Sequence, residues 1–252
     1  MNGLLGKRAL VTGGSRGIGA ATSRLLAEYG VHVAIGYRSR SADADALVAE
    51  LEREHGVKAV AFAADIATRD GANTLVERAA DELGGIDFFV GNAGIWPCDD
   101  VSLADMSDEQ WDRTMSENID SMFWTTRAAV RAMSDGGRVV LVSSTAGQRG
   151  EAFHSDYAAS KGAMISFVKS LAPELGKRGI TVNSVAPGWV DTEMCEQPFS
   201  GGGRERIAAT IPVGRIAAPR DIAGPIVFLC SDLARHITGE IVNVNGGTVL
   251  CG

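Results

Sequence analysis

The chain has 252 residues, 45% of them hydrophobic, and 24 Lys+Arg against 31 Asp+Glu give a net charge of −7. That length is enough to bury a large core as one domain, while the acidic balance and the lack of any basic run argue against nucleic acid as a partner. No apolar run approaches the roughly 18 residues of a membrane span. The four cysteines (Cys98, Cys195, Cys230, Cys251) and four histidines (His32, His55, His154, His236) show neither C-x-x-C nor metal-ligand spacing, so a metal-free protein of a reducing cytoplasm is expected.

Taken in order, short apolar runs alternate with longer helical patterns. Residues 8–12, 32–36, 59–63, 87–91, 138–143, 181–186 and 240–244 read as strands. Their nearly unbroken apolar character predicts burial on both faces, the mark of a parallel sheet covered by helices. The N-terminus enters the first of them almost at once. Between strands, A-L-V-A-E-L-E-R-E-H (46–55) repeats Leu and Val at helical spacing, with Ser41 as the expected N-cap and Gly56 as the stop. Gly84 and Gly85 close another helix. Ser107 and Gln110 have the spacing of a capping box opening a helix that carries Trp111 and Met115 on one face. Repeated βα order without a linker predicts one Rossmann-type, doubly wound α/β domain over residues 1–252, with about seven parallel strands in an α/β/α sandwich. The rhythm breaks at residues 191–215, which hold S-G-G-G and no convincing strand. A surface insertion fits, and so does a lid with a short helix over the carboxyl edge of the sheet.

T-G-G-S-R-G-I-G (12–19) follows the first strand and opens a helix. It lacks the G-K-[ST] ending of a P-loop, and Gly13, Gly17 and Gly19 depart from the usual G-x-G-x-x-G spacing. Glycines let the backbone approach a ligand, and a helix N-terminus offers amides and positive potential to a pyrophosphate. Gly13, Ser15, Arg16, Gly17, Ile18 and Gly19 are therefore candidate dinucleotide contacts. At the end of the second strand, where an NAD-binding fold commonly places an acid, the chain has Tyr37 and then Arg38. Arg16 and Arg38 would suit a 2′-phosphate, which favours NADP(H) and leaves NAD(H) open.

Tyr157 and Lys161 lie four apart in the helix-favouring Y-A-A-S-K-G-A-M and so share one helical face. A free tyrosine titrates near pH ~10, and bringing it near neutrality takes about 3–4 kcal/mol. One ammonium at about 4 Å supplies that order of energy at an effective dielectric near ~20. The pair can therefore act as a lysine-tuned acid/base, although the same spacing also decorates ordinary surface helices.

These motifs together, with D-I (65–66), N-A-G (92–94), Asn118, V-S-S (142–144) and A-P-G-W-V-D-T (186–192), resemble the short-chain dehydrogenase/reductase family over essentially the full length. The likeness is strongest to bacterial 3-oxoacyl-[acyl-carrier-protein] reductase-like members. The resemblance implies that Tyr157 is the proton donor and acceptor and that Ser144 orients the substrate carbonyl, Ser143 standing one residue too early. It implies that Lys161 holds the nicotinamide ribose and lowers the Tyr157 pKa, and that Asn118 holds a water in a proton relay through a helix irregularity. Asp65 and Ile66 would contact adenine, Asn92 and Gly94 would border the ribose, and Pro187, Gly188, Val190 and Thr192 would meet the nicotinamide end. A homotetramer built partly on the Tyr157 helix and the C-terminal region is also implied. Pro173 departs from the pattern and predicts a local bend, and Asn245 stands where an aspartate is more usual.

The reading is an NADP(H)-dependent oxidoreductase acting on a carbonyl or secondary alcohol, with 3-oxoacyl thioesters among the candidate substrates. An NAD-linked dehydrogenase of a sugar or other alcohol, and a non-catalytic cofactor-binding regulator, are the alternatives. Trp96, Gln148, Phe153, Trp189, Met194 and Phe199 are candidate pocket residues, and His154 is placed in the pocket lining or on the surface, outside the chemistry.

Overall fold

A computed structural model describes residues 1–250; Cys251 lies outside them. Seven strands form one parallel sheet: β1 (Arg8–Thr12), β2 (His32–Tyr37), β3 (Ala59–Ala63), β4 (Ile86–Gly91), β5 (Met133–Val142), β6 (Thr181–Pro187) and β7 (Ile241–Val244), in the order β3-β2-β1-β4-β5-β6-β7. The helices are α1 (Gly17–Glu28), α2 (Ser41–His55), α3 (Arg69–Leu83), α4 (Asp108–Met115), α5 (Ser121–Ala132), α6 (Thr145–Arg149), α7 (Ser155–Leu175), α8 (Glu196–Phe199), α9 (Gly203–Thr210) and α10 (Pro219–Cys230).

Side chains alternate across the sheet with the period of a strand. Ala9, Val11, Val33, Ile35, Phe88, Val90, Val140 and Val142 enter one core with Leu26, Leu47, Leu51, Ile222 and Ile226 from α1, α2 and α10. Leu10, Ala34, Phe89, Val139 and Leu141 enter the other with Leu75, Met122, Met164 and Val168 from α3, α5 and α7. Burial on both faces is why the strands read as unbroken apolar runs. Chain order reverses between β1 and β4, so a crevice opens at their carboxyl ends, where folds of this kind bind ligands.

Several local expectations change. β5 begins at Met133, five residues before its apolar run, because Met133 pairs with Ile86 across a register shift; the intervening S-D-G-G has no strand signature. Ser41 is the first residue of α2 and not its cap: the Ala44 amide already donates to the Arg40 carbonyl, so the helix starts one residue early and Ser41 is inside its first turn. Only half of the capping box forms. Ser107 Oγ accepts from the Gln110 amide, but the Gln110 side chain donates to Asp156 instead of returning to the cap. Trp111 is 40% exposed and Thr114 is the buried residue of α4. Pro173 lies in the last turn of α7, and the helix runs on to Leu175. No described helix is long and apolar enough to cross a membrane.

Candidate active site

The loop between β1 and α1 has little room for side chains. Gly13 and Gly17 take φ of 61° and 53°, and a Cβ on Gly19 would collide with the Gly13 carbonyl. Asn92, after β4, fixes this loop: its Nδ2 donates to the carbonyls of Thr12 (3.1 Å) and Gly13 (3.2 Å), while Thr12 Oγ1 accepts from the amides of Asn92 and Ala93. α1 has no side-chain cap, so its first amides remain available to an anion. These features fit the phosphates of a dinucleotide.

Arg16, from the glycine loop itself, lines the cleft with Arg38 and Arg40 from beyond it. Arg38 hydrogen-bonds Glu117, which holds its guanidinium firmly protonated, and stands 3.9 Å from Asp65. Arg16 and Arg40 both reach Glu193 Oε2 at 2.6 Å. Asp65 also accepts from the Ala67 amide at 3.3 Å, so it caps its own loop while lining the cleft. Sequence reasoning missed Arg40, two residues past Arg38, and it missed Glu117 and Glu193, whose pairing depends on distant segments meeting.

At the other end, Ser143 and Ser144 face opposite ways, as consecutive residues leaving a strand do. Ser143 Oγ donates to the Lys161 carbonyl at 2.8 Å, whereas Ser144 Oγ caps α6 by accepting from the Ala146 amide and is hydrogen-bonded to the Tyr157 phenol. Lys161 is 4% exposed, and its Nζ donates to the Val142 carbonyl at 2.9 Å. Burial brings this ammonium down to about 8. Burial pushes the Tyr157 phenol up, and the bond from Ser144 only moderates that. Lys161 Nζ stands 5.8 Å from the Tyr157 ring centroid, held toward the end of β5. The lowering of Tyr157 expected from the lysine is therefore not expressed in the protein alone, because desolvation dominates.

Asn118 is fully buried within a π-helical turn, Ser116–Asp120, joining α4 to α5. Its Oδ1 accepts from the Ile95 amide (2.8 Å), and its Nδ2 donates to the Ile95 carbonyl (3.0 Å) and to Ser160 Oγ (2.9 Å). The side chain thus ties the loop after β4 to α7, and it does not face the cleft. A Cβ on Gly94 would lie 2.8 Å from Asn118 Oδ1 and 3.3 Å from Lys161 Nζ, so only glycine fits there.

One cleft of about 740 Å³ gathers Gly13, Ser15, Arg16, Gly17, Ile18, Arg38, Asp65, Ile66, Asn92, Gly94, Ser144, Tyr157, Lys161, Pro187, Gly188, Val190 and Thr192. Gly19 and Asn118 support it from behind. Of the aromatic and polar candidates, Trp96, Trp189 and Met194 line the cleft. Phe199 packs behind Trp189 at 5.8 Å, Gln148 is turned toward Asn243, and Phe153 is 55% exposed in the left-handed region at φ 65°. His154 is buried and stacks on Trp96 at 5.1 Å, outside the lining. Glu151, Arg149 and Cys195 line the cleft and were not anticipated. Among the described residues, no group of three or more His, Cys, Asp or Glu could hold a metal ion.

Residues 13–249 match the family model described as Enoyl-(Acyl carrier protein) reductase. The chain is 39% identical to a 3-oxoacyl-[acyl-carrier-protein] reductase of Synechocystis sp. over 99% of this chain and 100% of that one. It is also 39% identical to an L-rhamnose 1-dehydrogenase (NAD(P)(+)) of Azotobacter vinelandii, over 97% of each. Among solved structures, a short chain dehydrogenase from Burkholderia cenocepacia J2315 in complex with NADP superposes with a TM-score of 0.91 at 38% identity, covering 98% of this chain and 99% of that one.

Proposed function

Because the chain belongs to the short-chain dehydrogenase/reductase family, we propose that it moves hydride between NADP(H) and a carbonyl or secondary alcohol carbon, with Tyr157 as the proton donor and acceptor. The observation that carries this reading is the convergence of Ser144, Tyr157 and Lys161 at one end of a cleft whose other end holds three arginines. When bound, the dinucleotide would supply or accept the hydride.

Each residue has a task its surroundings suit. Ser144 and the Tyr157 phenol would hold the substrate oxygen from two sides; in reduction Tyr157 gives its proton to the developing alkoxide, and in oxidation its phenolate takes one. Lys161 has one strong acceptor, the Val142 carbonyl, and so keeps donors for the nicotinamide ribose. Asn118 uses its side-chain amide on Ile95 and Ser160, so its part in a proton relay falls to its main-chain carbonyl in the π turn. Gly13, Ser15, Gly17, Ile18 and Gly19 would cradle the pyrophosphate, Asp65 and Ile66 the adenine, Asn92 and Gly94 the ribose region, and Pro187, Gly188, Val190 and Thr192 the nicotinamide. Arg16, Arg38 and Arg40 support the 2′-phosphate, and no acid stands at Tyr37 to favour NAD. Residues 191–215 form the substrate lid of a single domain: α8 and α9 lie here, and Asp191 pairs with Arg204 at its base. The four filled positions speak against a non-catalytic regulator.

NADPH oxidation against β-ketoacyl thioesters, β-keto esters, quinones and sugars tests the proposal. Tyr157→Phe should cut turnover by about a hundredfold to ten-thousandfold and leave NADPH binding intact. Near-wild-type activity in that variant would falsify the assignment.

A further inference from the structure

Among the described residues, the substrate end of the cleft contains one carboxylate without a partner. Glu151, on the loop between α6 and α7, lines it together with Ser144, Tyr157, Trp96, Trp189 and Cys195. Its carboxylate is half-buried and makes no hydrogen bond or ion pair with any described residue. The nearby cation, Arg149, is exposed and does not pair with it. Every other cleft carboxylate apart from Glu151 is engaged: Asp65 by the Ala67 amide, Glu117 by Arg38 and Glu193 by Arg16 and Arg40. A half-buried carboxylate without a donor is costly, and the cost is removed when a donor arrives. The edges of Trp96 and Trp189, 5.8 Å apart between centroids, form the apolar wall beside it.

Resting on the oxidoreductase reading above, we propose that Glu151 is a specificity-determining residue that accepts a hydrogen bond from a donor on the substrate, a hydroxyl or an ammonium carried near the reacting carbon. The substrate class is then a hydroxylated or aminated carbonyl compound and not a plain acyl chain. Two further features agree with that placement. Burial raises the Glu151 carboxyl, offset in part by His154 and Arg149, and Asp100 adds to the rise. The Glu151 charge in turn acts on the Tyr157 phenol, which puts it within electrostatic reach of the reacting oxygen. A substrate donor bound to Glu151 would spread that charge at the point where Tyr157 works.

Butanone, hydroxyacetone and aminoacetone have the same heavy-atom count and differ only in whether the α-methylene carries a methyl, a hydroxyl or an ammonium. Wild type, Glu151→Gln and Glu151→Leu are compared on all three as kcat/KM ratios to butanone, so the intrinsic reactivity of each ketone cancels between variants. Glu151→Leu should lower the ratio for the preferred donor about ten- to hundredfold, whatever the change in butanone turnover itself. If the donor is a hydroxyl, Glu151→Gln retains most of the preference through its amide oxygen. If it is an ammonium, Glu151→Gln loses the preference along with the charge. Unchanged ratios for both donors in Glu151→Leu overturn the inference. A second readout does not need turnover: quenching of tryptophan fluorescence by the same three compounds gives dissociation-constant ratios. A protein that consumes no NADPH with any ketone defeats the oxidoreductase reading, and the quenching ratios still decide for or against Glu151.

Discussion

Lys161 and Tyr157 pull in opposite directions when their surroundings are followed atom by atom. Burial disfavours the charged form of each, so the lysine falls to about 8 and the phenol rises. An unfolded lysine titrates near ~10.4. Between the two values the unfolded chain holds a proton that the folded one has released, so the Lys161 contribution to stability improves as pH rises through that window. Below about 8 the ammonium is charged in both states and its burial cost is fully present. Lys161→Met should therefore raise the melting temperature of the cofactor-free protein at pH ~7, and the advantage should shrink steadily toward pH ~10.4. Thermal melts across that range check it; a variant less stable than wild type at pH ~7 would show that the bond to Val142 outweighs desolvation. The raised phenol carries a second consequence: Tyr157 stays protonated around neutrality, which suits it to give a proton in reduction.

Among the elements, the segment after β6 links the two ends of the cleft. Val190 bridges to Ala217, and three residues on, Glu193 binds Arg16 of the glycine loop and Arg40 after β2. In this arrangement the Glu193 carboxylate neutralises two of the three arginines proposed for the 2′-phosphate. Exposed pairs of this kind are worth at most about 1 kcal/mol each, so a phosphate can displace the glutamate. Glu193→Ala should tighten NADP+ binding severalfold and leave NAD+ binding within about twofold. Titration calorimetry with both cofactors measures the two effects at once. Weaker NADP+ binding in the variant would mean that Glu193 positions the arginines, and wild-type preference for NAD+ would remove the 2′-phosphate assignment itself.

Over the whole molecule, the β7 edge of the sheet and a helical face on α5 and α7 are left half-covered. β7 ends the sheet, and Ile241, Val242 and Val244 are only partly buried; exposed edges are normally covered or blunted. On α5 and α7, Phe123, Trp124 and Phe167 cluster with Arg127 stacked over the first two rings. These surfaces lie where the family resemblance places subunit contacts, so we propose a homotetramer that uses both. Light scattering should give about four times the chain mass of 26.4 kDa, and Phe167→Glu should reduce it to about half that value. A wild-type monomer would remove the proposal.

The strand and helix order, the two-sided core and most of the cleft were legible in the sequence, because each rests on a local signal. Unbroken apolar runs mark buried parallel strands, Gly13 and Gly17 mark positive φ, and the tyrosine and lysine four apart share a helical face. The preference for Ser144 over Ser143 comes from the family's serine–tyrosine spacing, and the two hydroxyls do bond differently, Ser143 to the Lys161 carbonyl and Ser144 to the Ala146 amide. Only the tertiary structure decided which charged groups meet. Glu117 and Glu193 approach the arginines across long stretches of chain, Glu151 is left without a donor among the described residues, and Asn118 faces away from the cleft to tie Ile95 to Ser160. The sign of the Tyr157 shift belongs with these: spacing puts Lys161 on its face, but burial in the assembled cleft sets the larger effect. Local spacing determines which side chains can be neighbours, whereas desolvation and pairing depend on everything that packs around them.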